Sequence, residues 1–150
     1  MQTDYLEISQ RVLGKLQHNR GTGDIHDHLT LDTWEWPQGV AVYAMYKLYK
    51  ATGNKQTLED MRVWYARHLA KGLPSKNVNT MAPMLGMTLL YKETGDETYR
   101  PIIEEWSQWV MTQMPRTQEG GLQHITSDDV NEQQLWDDTL YMTCLFLYQA

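Results

Sequence analysis

Hydrophobic and polar residues along this chain form two kinds of helical segment that alternate. Three segments are apolar on almost every side: Trp36 to Lys50, Thr80 to Thr94, and a last one from about Gln133 onward. Three others carry one apolar stripe opposite charged residues: Thr3 or Asp4 to His18, Lys55 to Lys71, and Glu97 to Met114. A helix that is apolar all round is buried, whereas a striped helix covers the core from outside. The pattern therefore predicts an all-α fold in which helices two, four and six are inner and helices one, three and five are outer.

An internal repeat supports this pairing of helices. The segment Tyr49–Asn54 (YKATGN) recurs 42 residues later as Tyr91–Asp96 (YKETGD), and a third copy begins at Leu145. A period of about 40–47 residues is typical of stacked helical pairs. Tight turns then follow the inner helices and long polar loops precede them, so the loops and the inner helix N-termini gather at one rim. Helix N-termini carry partial positive charge, which favours an anionic ligand at that rim.

Composition narrows the class of protein. The 150 residues suffice for one domain with a hydrophobic core, and a hydrophobic content of 41% is ordinary for a globular protein. The net charge is −6 without a basic cluster, which argues against a nucleic-acid partner. The single cysteine, Cys144, allows no intrachain disulfide and is predicted to be a buried thiol. Since no signal pattern and no apolar run of about 18–20 residues occurs, we expect no membrane partner and a cytoplasmic location.

Aromatic residues and the number of hairpins give two further indications. Nine Tyr and six Trp stand against a single Phe. Such rings combine an apolar face with a polar tip and suit a carbohydrate ligand, although several are expected to be core residues. Three helical hairpins form an arc rather than a closed ring. We therefore expect the chain to be part of a longer toroid or to pair with a second copy.

Asp137 and Asp138 are the first catalytic candidates. They follow Trp136 at the point where a polar loop becomes an apolar segment. An apolar, aromatic environment and a neighbouring carboxylate both favour the protonated carboxyl group that general acid catalysis needs. On the pattern alone, N-capping of the last inner helix is the simpler explanation of the pair.

Three further segments have residues suited to ligand binding. Gly120–Thr126 carries Gln123 and His124, which can bind hydroxyls or a carboxylate, and a hairpin-like turn is the alternative. Trp34–Gly39 places two Trp beside a glutamate as a stacking platform, and packing at the helix entry is the alternative. Asn77–Thr80 is a weaker candidate, since helix capping alone would explain it.

A metal site has little support in the sequence. His26 and His28, with Asp24 and Asp27, lie close together in the chain. No His-Glu-x-x-His motif and no pair of cysteines accompanies them. We therefore predict neither a metal nor a cofactor.

Four motifs together resemble the unsaturated rhamnogalacturonyl hydrolases of glycoside hydrolase family 105. They are Trp34–Val40 (WEWPQGV), Asn77–Thr80 (NVNT), Gly120–His124 (GGLQH) and Leu135–Met142 (LWDDTLYM). The likeness extends from about Trp34 to Ala150. It implies an (α/α)6 barrel of six helical hairpins, of which this chain matches about the first half.

The resemblance also implies an activity. Family members remove the unsaturated uronic acid from the non-reducing end of pectin lyase products by hydrating its C4=C5 enol ether, which departs from the usual two-carboxylate scheme. The family's acid maps onto the aspartate pair, with Asp138 favoured and Asp137 as the alternative. The residues expected to contact substrate are Trp36, Asn79, Gln123, His124 and Trp136. The expected partner is an unsaturated galacturonyl–rhamnose oligosaccharide, with part of the pocket supplied by the second half of the barrel.

Two other functions stay open on the sequence. A non-catalytic helical-repeat module would bind carbohydrate or protein through the loop-rich rim. Another hydrolase built on an α/α toroid, or an epimerase of similar shape, would share the architecture and differ in its product.

Overall fold

The computed structural model describes residues 4–19 and 30–150 and is all-α in organisation. Its helices are α1 (Tyr5–His18), α2 (Trp36–Thr52), α3 (Lys55–Lys71), α4 (Val78–Thr94), α5 (Arg100–Thr112), a π-helical segment (Leu140–Cys144) and α6 (Leu145–Gln149). Within those residues, the extended pairing is limited to one isolated antiparallel bridge between Arg116 and Leu122. The predicted fold class is confirmed.

The ends of the helices follow from the local sequence. Asp4 caps α1, because its Oδ1 accepts hydrogen bonds from the N–H groups of Leu6 (3.0 Å) and Glu7 (3.1 Å). Gly53 and Gly95 end α2 and α4 in the left-handed conformation, with φ angles of 67° and 68°. Side chains other than glycine's disfavour that conformation, so glycine makes both tight turns of the repeat.

Helix α5 is shorter than the pattern predicts. It begins at Arg100 rather than at Glu97. The N–H of Thr98 donates to Asp96 Oδ1 (3.0 Å), which forms a separate turn before the helix. Pro101 then occupies the first helical turn, where its missing N–H costs nothing.

The sixth helix begins later than predicted. Its helical backbone starts at Asp138 and not near Gln133. Asn131 and Gln133 have φ angles of 44° and 60°, which a right-handed helix cannot accommodate. Gln133 bends back onto the preceding loop, where its Oε1 accepts from Gln118 N–H (2.8 Å). The π-helical segment follows Asp138 and Thr139, and such segments are frequent at functional sites.

The core lies between the inner helices and their outer partners. Helix α4 is buried along most of its length and packs closely against α2. This approach depends on glycine, because a Cβ at Gly39 would lie 2.5 Å from Ala82 Cβ. A Cβ at Gly86 would lie 2.4 Å from Tyr65 Oη, so the outer helix α3 is also held close to α4.

Both ends of the arc keep apolar surface. Over its described span no residue of α1 is buried, and a mainly apolar groove of about 1070 Å³ runs between α1 and α2. The inner helix α2 is therefore less enclosed than its apolar pattern predicts. At the other end Leu140, Leu145 and Tyr148 are exposed, and Cys144 is half-buried rather than buried as predicted. In residues 4–19 and 30–150, no helix has both the length and the apolar character needed to span a bilayer.

Candidate active site

Asp138 stands at the start of the sixth helix with its two carboxylate oxygens in different surroundings. Its Oδ1 is buried, whereas the side chain as a whole is 42% exposed, so the accessible surface lies on the Oδ2 side. Asp137 is exposed. The residue at the N-cap of the π-helical segment is Thr139, one position after the pair, and its side chain makes no capping hydrogen bond.

His124 is the residue that packs against the buried oxygen of Asp138. It is 2% exposed, and its backbone N–H donates to the carbonyl of Gln134 at 3.0 Å. Its Nδ1 lies 2.9 Å from Thr139 Oγ1 and 3.2 Å from Asp138 Oδ1. The contact with Thr139 is aligned as a hydrogen bond, whereas Asp138 Oδ1 has no aligned donor in the described part of the chain. One ring nitrogen therefore faces two oxygens.

Trp136 covers the imidazole of His124. The two rings stack with their centroids 4.2 Å apart and their planes 1° from parallel. Trp136 Nε1 donates to Gln134 Oε1 (2.9 Å), which fixes the indole in its plane. Trp136 is nevertheless 48% exposed, so one of its faces is open to solvent. An open indole face suits the apolar face of a sugar ring.

Gln123 has a different place from the one expected for a substrate contact. It is 5% exposed. Its Nε2 donates to the carbonyl of Val130 (2.8 Å), and its Oε1 accepts from Gln133 N–H (3.2 Å). Both ends of the amide are thus occupied by loop backbone. Gln123 holds the loop that carries His124 rather than offering its amide to a ligand.

The two glycines before Gln123 form the hairpin-like turn that was the alternative to a ligand-binding loop. Thr117 N–H donates to the carbonyl of Gly121 (2.9 Å), and Gly120 has a φ of 85°. A Cβ at Gly121 would lie 2.7 Å from Leu135 Cδ2. Because Leu135 is 59% exposed and its flexible side chain can move aside, this contact shows that the loop packs against the segment before the aspartates without requiring glycine at position 121.

The two tryptophans of the Trp34–Gly39 motif have separate roles. Trp34 is 5% exposed, stacks on Trp64 at 5.2 Å and donates from Nε1 to the carbonyl of Thr80 (2.8 Å). It belongs to the core, as the packing alternative stated. Trp36 begins α2 and is 42% exposed, so it alone of the pair presents surface at the rim.

The Asn77–Thr80 motif both caps α4 and joins the rim. Asn77 Oδ1 accepts from Thr80 N–H (3.0 Å), and Asn77 N–H donates to Thr80 Oγ1 (2.9 Å), which is a capping box. Asn77 Nδ2 also donates to Ser127 Oγ (2.9 Å), and Ser127 in turn donates to Glu35 Oε1 (3.0 Å). Asn79 is half-buried in the first turn of the helix. Ser127 therefore links the long loop to the starts of α2 and α4.

The predicted residues consequently fall into two groups. His124, Trp136 and Asp138 are in direct contact, and Gln123 supports them from within the loop. Trp36 and Asn79 lie at the N-termini of two inner helices, where their sequence neighbours Glu35 and Asn77 are joined to that loop through Ser127.

Sequence reasoning missed two residues of this region. Thr139 is 4% exposed and bonds His124. Its position directly after the two aspartates could have marked it as part of the site. Ser127 is a single hydroxyl in a polar loop, a pattern too common to mark a linking residue.

Tyr141 follows the aspartates on the same helix. Burial, and to a smaller extent the nearby Tyr43, raise the pKa of Tyr141 to about 12. The two rings meet edge to face with centroids 6.0 Å apart. The phenol therefore stays neutral near pH 7 and contributes a hydrogen-bonding group rather than a charge.

The weak metal interpretation rested on Asp24, His26, Asp27 and His28, which lie outside the described residues. Among residues 4–19 and 30–150, no group of three or more His, Cys, Asp or Glu side chains is arranged to hold a metal ion.

Known proteins of one family are similar to this chain. A family model for Glycosyl Hydrolase Family 88 matches residues 8–150. The unsaturated rhamnogalacturonyl hydrolase YesR of Bacillus subtilis is 37% identical over an alignment of 118 residues that covers 76% of this chain and 34% of YesR.

Solved structures give the same result. A protein of Salmonella enterica serovar Paratyphi A is described as a possible member of the GH105 family. Its match covers 99% of this chain and 44% of the Salmonella chain, with a TM-score of 0.90 and 37% sequence identity. A Klebsiella pneumoniae protein with the same description matches 99% and 42%, with a TM-score of 0.87 and 36% identity. The chain thus spans less than half the length of these relatives.

These similarities confirm the resemblance drawn from the four sequence motifs. The helical hairpins are those of an (α/α)6 toroid, and about three of its six hairpins are present in this chain. Because the family match covers almost all of the sequence, the chain belongs to glycosyl hydrolase family 88.

Proposed function

We propose that this chain carries the acid-bearing part of a glycoside hydrolase that removes a 4,5-unsaturated uronic acid from the products of pectin and rhamnogalacturonan lyases. The observation that carries the proposal is the asymmetry of Asp138. One oxygen is buried against His124, while the other side of the carboxyl is accessible, and Trp136, which stacks on the same His124, is 48% exposed. The description of YesR as an unsaturated rhamnogalacturonyl hydrolase supports the substrate class.

In the proposed reaction, Asp138 donates its proton to C4 of the C4=C5 enol ether. Positive charge then develops at C5 and the ring oxygen, and water attacks C5. The proton released by that water returns to Asp138, which restores the acid. The resulting hemiketal opens and expels the remaining sugar from C1. No covalent bond to the protein forms, so one carboxyl group serves both as general acid and as general base.

The other residues of the rim have binding roles in this proposal. Trp136 and Trp36, which are 48% and 42% exposed, bind sugar rings through their indole surfaces. The N-termini of α2 and α4 offer partial positive charge to the uronate, and Asn79 lies in the first turn of α4. His124 contacts the substrate or the acid, and Gln123 keeps the loop in place.

Turnover of an unsaturated galacturonyl–rhamnose disaccharide, followed by loss of enol-ether absorbance, tests the proposal. Asp138→Asn should lower the rate by roughly 10²–10⁴-fold, the range for a lost general acid. Asp137→Asn is the matched control, because it removes the neighbouring charge at an exposed position, and it should cost no more than a few-fold. Loss confined to Asp137→Asn would transfer the acid role to that residue. Two equally active variants would refute the mechanism.

A non-catalytic carbohydrate-binding module is the second candidate. It is favoured by one observation, that the chain spans less than half the length of YesR and of the two solved relatives. Calorimetry with the same disaccharide separates the two functions. Binding without turnover, unchanged by Asp138→Asn, would support the module.

Helices beyond those of one copy of this chain are also expected in the working enzyme. The support is the apolar groove between α1 and α2, which a closed ring would cover. A second copy or the remaining half of a family toroid are the two candidate partners. Analytical ultracentrifugation of the wild-type chain and of Val12→Asp tests whether the partner is a second copy, because Val12 lines the groove and is 58% exposed. A wild-type dimer that Val12→Asp dissociates would identify a second copy as the partner. The cytoplasmic location stays a prediction, which cell fractionation tests.

A further inference from the structure

The side chain of His124 is fixed so tightly that its Nδ1 has a restricted choice of partners. The ring is 2% exposed, stacks on Trp136 within 1° of parallel, and belongs to a backbone held by Gln134. Nδ1 faces Thr139 Oγ1 at 2.9 Å and Asp138 Oδ1 at 3.2 Å. The contact with Thr139 is aligned as a hydrogen bond, whereas the buried Asp138 Oδ1 lies within reach of the same nitrogen without an aligned donor in the described residues.

The chemistry of these two oxygens decides where the imidazole proton belongs. A neutral imidazole carries one N–H, and the other nitrogen accepts. The hydroxyl of Thr139 donates or accepts, so it suits either tautomer. Asp138 Oδ1 is buried and lacks an aligned donor in the described residues, so it needs one from its neighbour. A donor at Nδ1 serves both oxygens, whereas a bare Nδ1 leaves the carboxylate oxygen unpaired.

We propose that His124 is a positioning residue that acts through Asp138, with the proton of its neutral ring on Nδ1. The Nδ1–H group holds Oδ1 as a hydrogen-bond acceptor, so the acidic proton of Asp138 resides on Oδ2, the oxygen on the exposed side. After that proton has gone to the substrate, the same N–H stabilises the carboxylate left behind. This role rests on the proposed function, in which Asp138 is the acid, and differs from direct contact with the sugar.

Nitrogen NMR of the 150-residue chain, with ¹⁵N-labelled histidine, tests the tautomer without any need for turnover. The His124 signals are assigned by their loss in His124→Asn. We expect a protonated Nδ1 and a bare Nε2 near neutral pH, and Asp138→Ala should shift the population toward the Nε2–H tautomer. A bare Nδ1 in the wild-type chain would overturn the proposal. An Nδ1–H tautomer that Asp138→Ala leaves unchanged would also overturn it, since Thr139 alone would then set the proton.

Kinetics with two variants separates a positioning role from a substrate contact. The amide nitrogen of asparagine replaces Nδ1, and that of glutamine reaches the place of Nε2. We expect kcat of His124→Asn to exceed that of His124→Gln by roughly tenfold or more, with KM within about twofold of each other. A higher kcat for His124→Gln, or a difference confined to KM, would assign His124 to the substrate. A chain that shows the predicted tautomer but no turnover when its toroid is closed by the further helices contradicts the proposed function and leaves the tautomer assignment standing.

Discussion

Replacement of Asn77 by alanine measures how much the rim depends on its hydrogen bonds. Asn77 is 4% exposed, its Oδ1 accepts from Thr80 N–H at 3.0 Å, and its Nδ2 donates to Ser127 Oγ at 2.9 Å. Loss of an N-cap costs roughly 1 kcal/mol, and loss of a partly buried hydrogen bond costs roughly 1 kcal/mol more. We therefore expect Asn77→Ala to lower the free energy of unfolding by about 2 kcal/mol, which for a chain of this size is a fall in Tm of about 4–8 °C.

Two further variants divide that loss into its parts. Asn77→Asp keeps the capping oxygen, gains from its negative charge at a helix N-terminus, and loses only the donor to Ser127, so it should cost about 1 kcal/mol or less. Ser127→Ala removes the link to the loop and leaves the cap intact. Urea unfolding followed by circular dichroism gives the free energies, and hydrogen exchange shows whether the loop of residues 116–132 opens faster. The reasoning is refuted if Asn77→Ala lies within about 0.5 kcal/mol of the wild type, or if Asn77→Asp is equally destabilised.

Three other variants test separate features of the structure. Trp136→Ala removes an exposed aromatic face, so we expect KM for the unsaturated disaccharide to rise by about two- to tenfold. Gly86→Ala places a Cβ 2.4 Å from Tyr65 Oη, so it should destabilise the protein by about 1–3 kcal/mol in urea unfolding. The control is Gly14→Ala in α1, where a Cβ would meet no atom within 4 Å, and it should stabilise the protein by about 0.5–1 kcal/mol. For Tyr141, burial raises the pKa from 10.0 to about 12, so the folded state disfavours the phenolate. Its contribution to stability is complete below about pH 10 and is lost as the pH rises toward 12, and Tyr141→Phe should flatten the fall of the urea midpoint over that range.

The arrangement of helices could be predicted because its signals are local. Helix α3 runs from Lys55 to Lys71, as its pattern indicates, because Asn54 caps the start and Gly72 follows the end. The apolar pattern correctly marked α4 as an inner helix, but it overstated the burial of α2. A hydrophobic pattern shows which faces of a helix avoid water, but it does not show what covers them. Among the described residues, one side of α2 has only the loosely packed α1 as a neighbour, so that side stays partly open.

The candidate site was less accessible to sequence reasoning because its contacts depend on the course of a loop. His124 meets Asp138 only because Asn131 and Gln133 adopt positive φ angles that turn the chain back, and neither residue type requires that conformation. The separate roles of Trp34 and Trp36 were equally hard to predict from the sequence. They are two residues apart, and tertiary packing alone decides that the first is buried and the second exposed.

The setting of Asp138 is built from residues of this chain, whereas the open apolar surface lies at the two ends of the arc. The groups around the carboxyl, His124, Trp136 and Thr139, are held by hydrogen bonds and stacking within the described residues. The groove, by contrast, is lined mainly by α1 and α2. Helices that close the ring also cover Leu140, Leu145 and Tyr148 on the helix that follows Asp138. Because the contacts that hold the carboxyl are already made within this chain, these helices should complete the substrate pocket without changing how the acid is held. We expect association to lower KM and to leave the ¹⁵N signals of the His124 ring unchanged. A shift in those ring signals on association would show that the closing helices reach Asp138 itself.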